Sequence, residues 1–314
     1  MSYKWITLMG DFTIQGNDVT FNAGLYSAVE PAPVSMPPQY RAGKVLSNQQ
    51  FGGGSLRGTV TIQEQIDESS ACDFLLAYSP ATRGFLSAGV GGEALASVRY
   101  FANQWHTVGS IGTSSQLEAN RAYDLSVTAK GSQVSVSLDG VSVLSVNLPF
   151  ILPNSQTGIF CAGPSNIHIT NFAVTSQKTT AFVVMQFTPP FNELYTEVIK
   201  PVCAELGIVA HRADETFGPG IVIADIARQI SEANIVIADV TPENANVYYE
   251  VGYAHAINKP TILIAEKKAE LPFDVAPFRV LFYEDSIGGK RVVEEGLRNH
   301  LKEIQATALQ LQVW

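Results

Sequence analysis

The chain has 314 residues, with 20 basic against 29 acidic side chains, 46% apolar residues and three cysteines. At about 100–200 residues per domain, this length predicts two domains, and the apolar share suffices for two cores. The net charge of −9 argues against a nucleic-acid partner, which needs a basic face to displace phosphate counterions. No apolar run approaches the ~20 residues that span a bilayer, and Met1–Trp5 lacks a secretory apolar region, so no membrane is expected.

Residues 1–177 read as β throughout. Short apolar runs at Thr59–Ile62, Phe74–Tyr78, Ser97–Phe101 and Ile167–Val174 are separated by Gly, Asn, Ser or Pro. The clearest segment is Asp124–Val146, where Leu125 and Val127, then Val134, Val136 and Leu138, alternate with polar residues. Asp139-Gly140 follows, a turn pair suited to positive φ at both central positions, so a hairpin is predicted there. Many short strands with turn signals between them predict a β-sandwich. Cys72, Cys161 and Cys203 are odd in number and form no CxxC pair or Cys/His cluster. A disulfide framework and a metal site are therefore not expected, and a reducing, cytoplasmic location is.

Composition shifts near Ser176-Gln177-Lys178. Residues 1–178 hold 22 of the 24 serines and a net charge of −2, whereas residues 179–314 carry −7. The second domain, 178–314, alternates strand and helix. Thr180–Phe187 is a buried-strand run; Phe191, Leu194, Tyr195, Val198 and Val202 form one helical face, with Pro201 set to kink it. Ile208–His211 is a strand, Ile223, Ile226, Ala227 and Ile230 mark a second helix, and Asn234–Val240 is a strand. Val247–Ile257 is a third helix, Thr261–Ala265 and Val280–Tyr283 are strands, and Val293, Leu297, Leu301 and Ile304 form the closing helix. This alternation predicts a parallel sheet covered on both faces, a small flavodoxin-like α/β domain; if its strand order is 2-1-3-4-5, the order reverses between the first and third strands.

In such sheets ligands bind beyond the carboxyl ends of the strands where the order reverses. That rule gathers Gln186 and Phe187 from the first strand, Arg212 and Asp214 from the second, and Asp239, Thr241, Asn244 and Asn246 from the third. Glu250 lies about one turn inside the third helix, flanked by Tyr248, Tyr249 and Tyr253 that can limit water access and stack on a flat base. Gly218 and Gly220, opening the second helix, are a possible phosphate site or simply a turn. Several of these residues have structural alternatives. Glu250 could complement the helix dipole, Asp239 and Thr241 could cap the third helix, and Arg212 could pair with Asp214 or Glu215. Phe187 could be core, and His255 could be a packed helix residue.

Two resemblances add to this reading. Tyr123–Val127, Gly131, Leu138-Asp139-Gly140, Thr157–Phe160 and Asn171–Val174 resemble the closing strands of concanavalin-like (laminin-G/lectin-like) jelly rolls. Such sandwiches carry lectins, glycosidases and interaction modules alike; a sugar-binding variant here would use Tyr100, Phe101 and Trp105 as platforms. More specifically, Phe182–Phe187, Arg212-Ala213-Asp214, Ile237–Thr241 and Asn244–Ala256, extended by Lys259-Pro260 and Phe273-Asp274, resemble the TIR-like/nucleoside 2-deoxyribosyltransferase-like superfamily. The resemblance implies cleavage of an N-glycosidic bond with Glu250 as the catalytic carboxylate. The TIR-like branch acts on NAD or a related nucleotide, often in bacterial antiviral defence, and the transferase branch acts on deoxynucleosides. Asn244 and Asn246 stand where some transferase relatives carry a carboxylate, which bears on base exchange more than on cleavage. The expectation is an NAD-cleaving hydrolase that uses NAD as substrate and needs no cofactor; the alternatives are a crevice that holds a nucleotide signal without cleaving it, or a nucleoside deoxyribosyltransferase or hydrolase. It would work as a homo-oligomer gated through the β-sandwich by an activating ligand or protein.

Overall fold

A computed structural model of the chain describes residues 3–23, 41–148, 150, 152–215, 222–241, 243–272, 275 and 279–309. The strands of the first half run in chain order as β1 (Trp5–Met9), β2 (Phe12–Gln15), β3 (Asp18–Phe21), β4 (Arg41–Phe51), β5 (Gly54–Ile62), β6 (Ala71–Tyr78) and β7 (Phe85–Gly91). They continue as β8 (Ala94–Ala102), β9 (Gln104–Ile111), β10 (Ala122–Lys130), β11 (Gln133–Leu138), β12 (Val141–Asn147), β13 (Ser155–Gly163) and β14 (Ile167–Ser176). These strands pair antiparallel into two seven-stranded sheets, ordered β1-β4-β13-β6-β7-β8-β9 and β12-β11-β10-β5-β14-β3-β2. The result is a jelly-roll sandwich.

Period-two alternation sets the sandwich core. Leu125, Val127 and Ala129 of β10 and Val134, Val136 and Leu138 of β11 all face inward and are buried. The turn between β11 and β12 has Asp139 at φ +51° and Gly140 at φ +80°, the two positive dihedrals that favour Asp-Gly in this hairpin. Phe21, Phe51, Phe74 and Phe172 are fully buried between the sheets, each contributing roughly 1.5–3 kcal/mol of burial energy. The three cysteines are free and buried.

The second half contains β15 (Thr180–Val184), α1 (Phe191–Leu194), a wide π turn over Tyr195–Ile199, α2 (Lys200–Glu205) and β16 (Val209–Arg212). It continues through α3 (Val222–Glu232), β17 (Ile235–Asp239), α4 (Ala245–Ala256), β18 (Thr261–Glu266), β19 (Val280–Tyr283) and α5 (Ile287–Leu309). All strand pairs are parallel, in the order β16-β15-β17-β18-β19, which meets the 2-1-3-4-5 condition for a switch point between the first and third strands. Alternate residues serve opposite faces: Ala181, Val183, Ile235 and Ile237 pack against Val198, Val202, Leu297 and Leu301. Phe182, Val184, Val236 and Ala238 pack against Ile230, Val247, Val251 and Ala254. The π turn lies just before Pro201, whose ring and missing N–H oppose a regular helical bond.

The two halves touch through the tight turn between β10 and β11. Lys259 is 3% exposed, and its Nζ donates to Ser132 Oγ (3.1 Å), Ser231 O (2.9 Å) and Ala233 O (2.7 Å). An ammonium at the carboxyl end of α3 complements the negative end of the helix. Gly131, at φ +57°, abuts the Ala233 carbonyl so closely that any Cβ there would collide with it. Lys130 adds a surface pair to Glu232 at 3.3 Å.

Candidate active site

A cavity of about 1010 Å³ opens at the carboxyl edge of the parallel sheet, beside the β15/β17 switch point. This size is at the upper end of small-molecule sites. Its floor is the end of β15 and the following loop, Val183–Phe187. Ala213 and Asp214, immediately after β16, form one side. The apolar wall is α3, through Ile223, Ile226, Ala227 and Ile230. The opposite wall is the start of α4, from Asn244 to Tyr253, including Glu250.

Local chemistry fixes this second wall. Asn244 is the N-cap of α4, and its Oδ1 accepts a hydrogen bond from the Asn246 amide at 3.0 Å. Capping there starts the helix so that Asn246, Tyr249, Glu250 and Tyr253 share the cavity side. Tyr249 is 63% exposed, while the Tyr253 hydroxyl meets Ser231 Oγ of α3 at 3.1 Å. Tyr248 turns away to the Val240 carbonyl and does not line the cavity. Glu250 is half-buried, and burial alone pushes its carboxyl up to about 7. No hydrogen bond among the described residues reaches that carboxyl.

Arg212 takes the structural role that the sequence left open. It is 6% exposed. Its Nε and Nη2 donate to the two oxygens of Asp214 at 2.8 and 2.7 Å, and Nη1 donates to Asn192 Oδ1 at 2.9 Å. The guanidinium lies over the rings of Phe187 (4.8 Å) and Tyr195 (4.5 Å). Arg212 therefore contacts no ligand space but steadies Asp214 and Phe187, both of which line the cavity. Phe187 is 45% exposed, a platform at the rim rather than core. Gln186 also lines the cavity, its Nε2 donating to Thr188 Oγ1 at 2.8 Å.

Asp239 and Thr241 do not join the site, contrary to the expected ligand contacts, and they do not cap α4 either. Asp239 is buried, and its Oδ1 and Oδ2 accept from the Thr241 amide (2.9 Å) and the Tyr283 hydroxyl (3.0 Å). Burial raises its carboxyl to about 7. Thr241 Oγ1 accepts from the Glu266 amide at 2.7 Å. Both side chains thus tie the end of β17 to β18 and β19, on the side away from the cavity. Gly218 and Gly220, with Phe273-Asp274, lie outside the described residues.

The α3 wall was not singled out from sequence. Ile223, Ile226, Ala227 and Ile230 have the spacing of a core stripe, and Ile230 is buried, yet Ile223 is 59% exposed at the cavity mouth. The wall's spacing is that of any core stripe, so nothing in the chain alone marks it as a cavity wall. In the sandwich, Tyr100 stacks on His106 at 4.7 Å, while Phe101 and Trp105 interlock with Phe85 and Trp105 also meets Phe160. These rings mostly face one another, although Trp105 is 41% exposed.

Among the described residues, no group of three His, Cys, Asp or Glu side chains is placed to hold a metal ion. No described helix is long and apolar enough to cross a membrane. No protein-family model matches the chain, and no curated protein matches it. Some solved structures are similar to part of the chain. The carbohydrate-binding module CBM66 from Bacillus subtilis is 14% identical, with a TM-score of 0.42 over 54% of this chain and 92% of that one. A Bacillus subtilis protein of unknown function with a galectin-like fold is 12% identical, with a TM-score of 0.39 over 54% and 87%. A β-glucanase from Bacillus licheniformis is 9% identical, with a TM-score of 0.36 over 56% and 92%.

Proposed function

We propose that the parallel-sheet half is an N-glycosidase that cleaves the nicotinamide–ribose bond of NAD, with Glu250 as the acting carboxylate. One observation carries the reading: Glu250 is half-buried on the wall of a cavity of about 1010 Å³, and no described donor spends its carboxyl. A carboxylate left that way at a topological switch point is costly to the fold and useful to a reaction.

The chemistry follows from the bond broken. As the C1′–N bond lengthens, both electrons pass to the ring nitrogen and positive charge builds on the C1′–O4′ unit of the ribose. A carboxylate beside that unit stabilises it. Nicotinamide departs as a neutral base and needs no general acid, so one carboxylate suffices. Water then adds at C1′ and loses a proton. Tyr249 and Tyr253 border Glu250 and limit the water that reaches it, while Phe187 offers a face for a flat ring. In this reading the activity is gated by assembly, with the β-sandwich as the sensing or assembling half, and serves bacterial antiviral defence, as the sequence resemblance implies.

The test is product analysis by chromatography after incubating the full chain with NAD over a range of protein concentrations. Nicotinamide release is expected, and Glu250→Gln should lower it by roughly 10³-fold, in the range of losing one transition-state electrostatic contact. Intact NAD with tight binding would make the cavity a nucleotide sensor. Base release from deoxynucleosides in place of NAD would move the reading to the transferase branch.

A further inference from the structure

The charges around the cavity are unequally compensated. Among the described lining residues, Asp214 and Glu250 carry charge. Asp214 is neutralised by the two-pronged contact from Arg212, at 2.7 and 2.8 Å. The remaining Arg212 hydrogen bond goes to Asn192, and its faces are taken by Phe187 and Tyr195. That ion pair adds no net charge to the cavity. Glu250 has no such partner. Among the described residues, no Lys, Arg or His lines the cavity to compensate it.

The other described lining residues carry no charge: Gln186, Asn244 and Asn246 are neutral, and the α3 wall is apolar. The α3 wall of Ile223, Ile226 and Ile230 offers nothing to a phosphate, and pressing one against it would strip its water without return. The first turn of α4 has one amide already spent, the Asn246 N–H on Asn244 Oδ1 at 3.0 Å. An anion bound here would meet the uncompensated Glu250, whereas a cation would relieve it.

We propose that the cavity selects its substrate by positive charge, seating a cationic pyridinium riboside with its ring nitrogen beside Glu250 and leaving the diphosphate of a dinucleotide outside. The inference rests on the N-glycosidase reading for the identity of the ligand. It also goes beyond that reading, since a site that gripped the diphosphate could cleave NAD equally well. In the reaction the charge of the pyridinium passes to the ribose as the C1′–N bond breaks. Glu250 therefore faces positive charge from binding through to the addition of water.

Two comparisons test the proposal on the full chain. NAD and NADH differ by one positive charge on the nicotinamide ring, and nicotinamide riboside keeps that charge but lacks the diphosphate. Affinities come from inhibition of initial rates where NAD turns over, and from calorimetry where it does not. NADH should bind about tenfold or more weaker than NAD, and the ratio should fall to about one in Glu250→Gln. Nicotinamide riboside should be cleaved with a kcat/KM within about threefold of that for NAD, with little change between low and high salt. Equal affinity for NAD and NADH, or a loss of more than about thirtyfold without the diphosphate, overturns the inference. Should Glu250→Gln not fold, the wild type serves: discrimination should fade as the pH drops below about 7, where Glu250 takes up its proton.

The outcomes separate the two claims. Nicotinamide release without charge discrimination leaves the enzymatic reading standing and removes this one. Charge discrimination without release does the reverse, and no binding of either dinucleotide removes both.

Discussion

The sandwich and the parallel-sheet half bury carboxylates in opposite ways. In the sandwich, Asp73 of β6 is fully buried; its Oδ2 accepts from Arg99 Nε at 2.9 Å and Ser87 Oγ at 2.8 Å, so its charge is paired although its Oδ1 has no hydrogen-bond partner among the described residues. The Arg99 guanidinium in turn lies 4.5 Å from the Trp105 ring centroid. Glu250 of α4 is less buried, yet no described donor meets it, and it faces open volume. Asp239 lies in the same half as Glu250 and shows that burial alone is not the distinction. Its carboxyl is raised to about 7, as Glu250's is, but two hydrogen bonds hold it. Compensation by neighbours marks a carboxylate as part of the frame, and its lack beside a cavity marks one as available for chemistry.

The sharpest way to break that contrast is to neutralise each carboxylate. Asp73→Asn should cost about 3–5 kcal/mol of unfolding free energy, because it leaves Arg99 charged, nearly buried and without its partner. Urea unfolding followed by tryptophan fluorescence in a Trp314→Phe background, where Trp5 and Trp105 report, reads this loss in the sandwich. A cost under about 1 kcal/mol would mean that the pair contributes no more than a surface contact. Glu250→Gln should show the inverse pattern, with no loss of stability and with catalysis lost.

The contact between the halves gives a second, smaller effect. Lys259→Met would leave the Ser231 and Ala233 carbonyls without their donor at the end of α3. The expected cost is roughly 2–3 kcal/mol, typical of buried acceptors that lose a charged partner. Hydrogen exchange should locate it: faster in α3 and in the turn between β10 and β11, with β6 and β13 unchanged. Loss of protection spread evenly over both sheets would deny that the contact is local.

Much of this arrangement was legible in the chain itself. Strand–helix alternation pointed to parallel strands with helices on both faces, and β15 and β17 are packed on both faces accordingly. The Asp139-Gly140 pair located its hairpin, and the segment from Asn244 to Tyr253 brought Glu250 to the cavity. What stayed hidden was pairing across sequence distance. Nothing near Asp239 points to Tyr283, 44 residues on, and nothing near Arg212 names Asn192, Phe187 and Tyr195 together. A residue's type states what it can bond, and only the packing decides what it does bond. The same limit concealed the α3 wall, since an apolar stripe has the same spacing whether it meets a core or a cavity.

Arg212 offers a finer probe, because it separates framing from catalysis within one half. Arg212→Lys keeps the charge but loses the fork to Asp214 and the flat surface between Phe187 and Tyr195. Asp214 and Phe187 would then wander at the cavity rim. The expected result is a KM for NAD about tenfold higher with kcat nearly kept, since the changed contacts position ligand and do not touch the breaking bond. A fall in kcat alone would place Arg212 in the chemistry.

The smallest effect follows from the raised carboxyl of Glu250. Its value of about 7 lies above the ordinary 4.5, so between those limits the folded chain keeps a proton that the unfolded chain has released. The stability tied to that proton is complete below pH 4.5 and is lost as the pH rises through 7. Asp239 acts in the same direction from 3.8 up to about 7, but it is present in both wild type and Glu250→Gln and cancels in their difference. Lys259, lowered by burial from 10.5 to about 8, titrates above this window, where stability rises with pH. The wild type should therefore lose about 1 kcal/mol relative to Glu250→Gln between pH 4.5 and 7.5, the full shift being reduced by solvent at the cavity mouth. Urea midpoints at the two pH values measure the difference. A gap that stays constant with pH would mean that Glu250 is compensated in the folded chain, and the contrast with Asp73 would then dissolve.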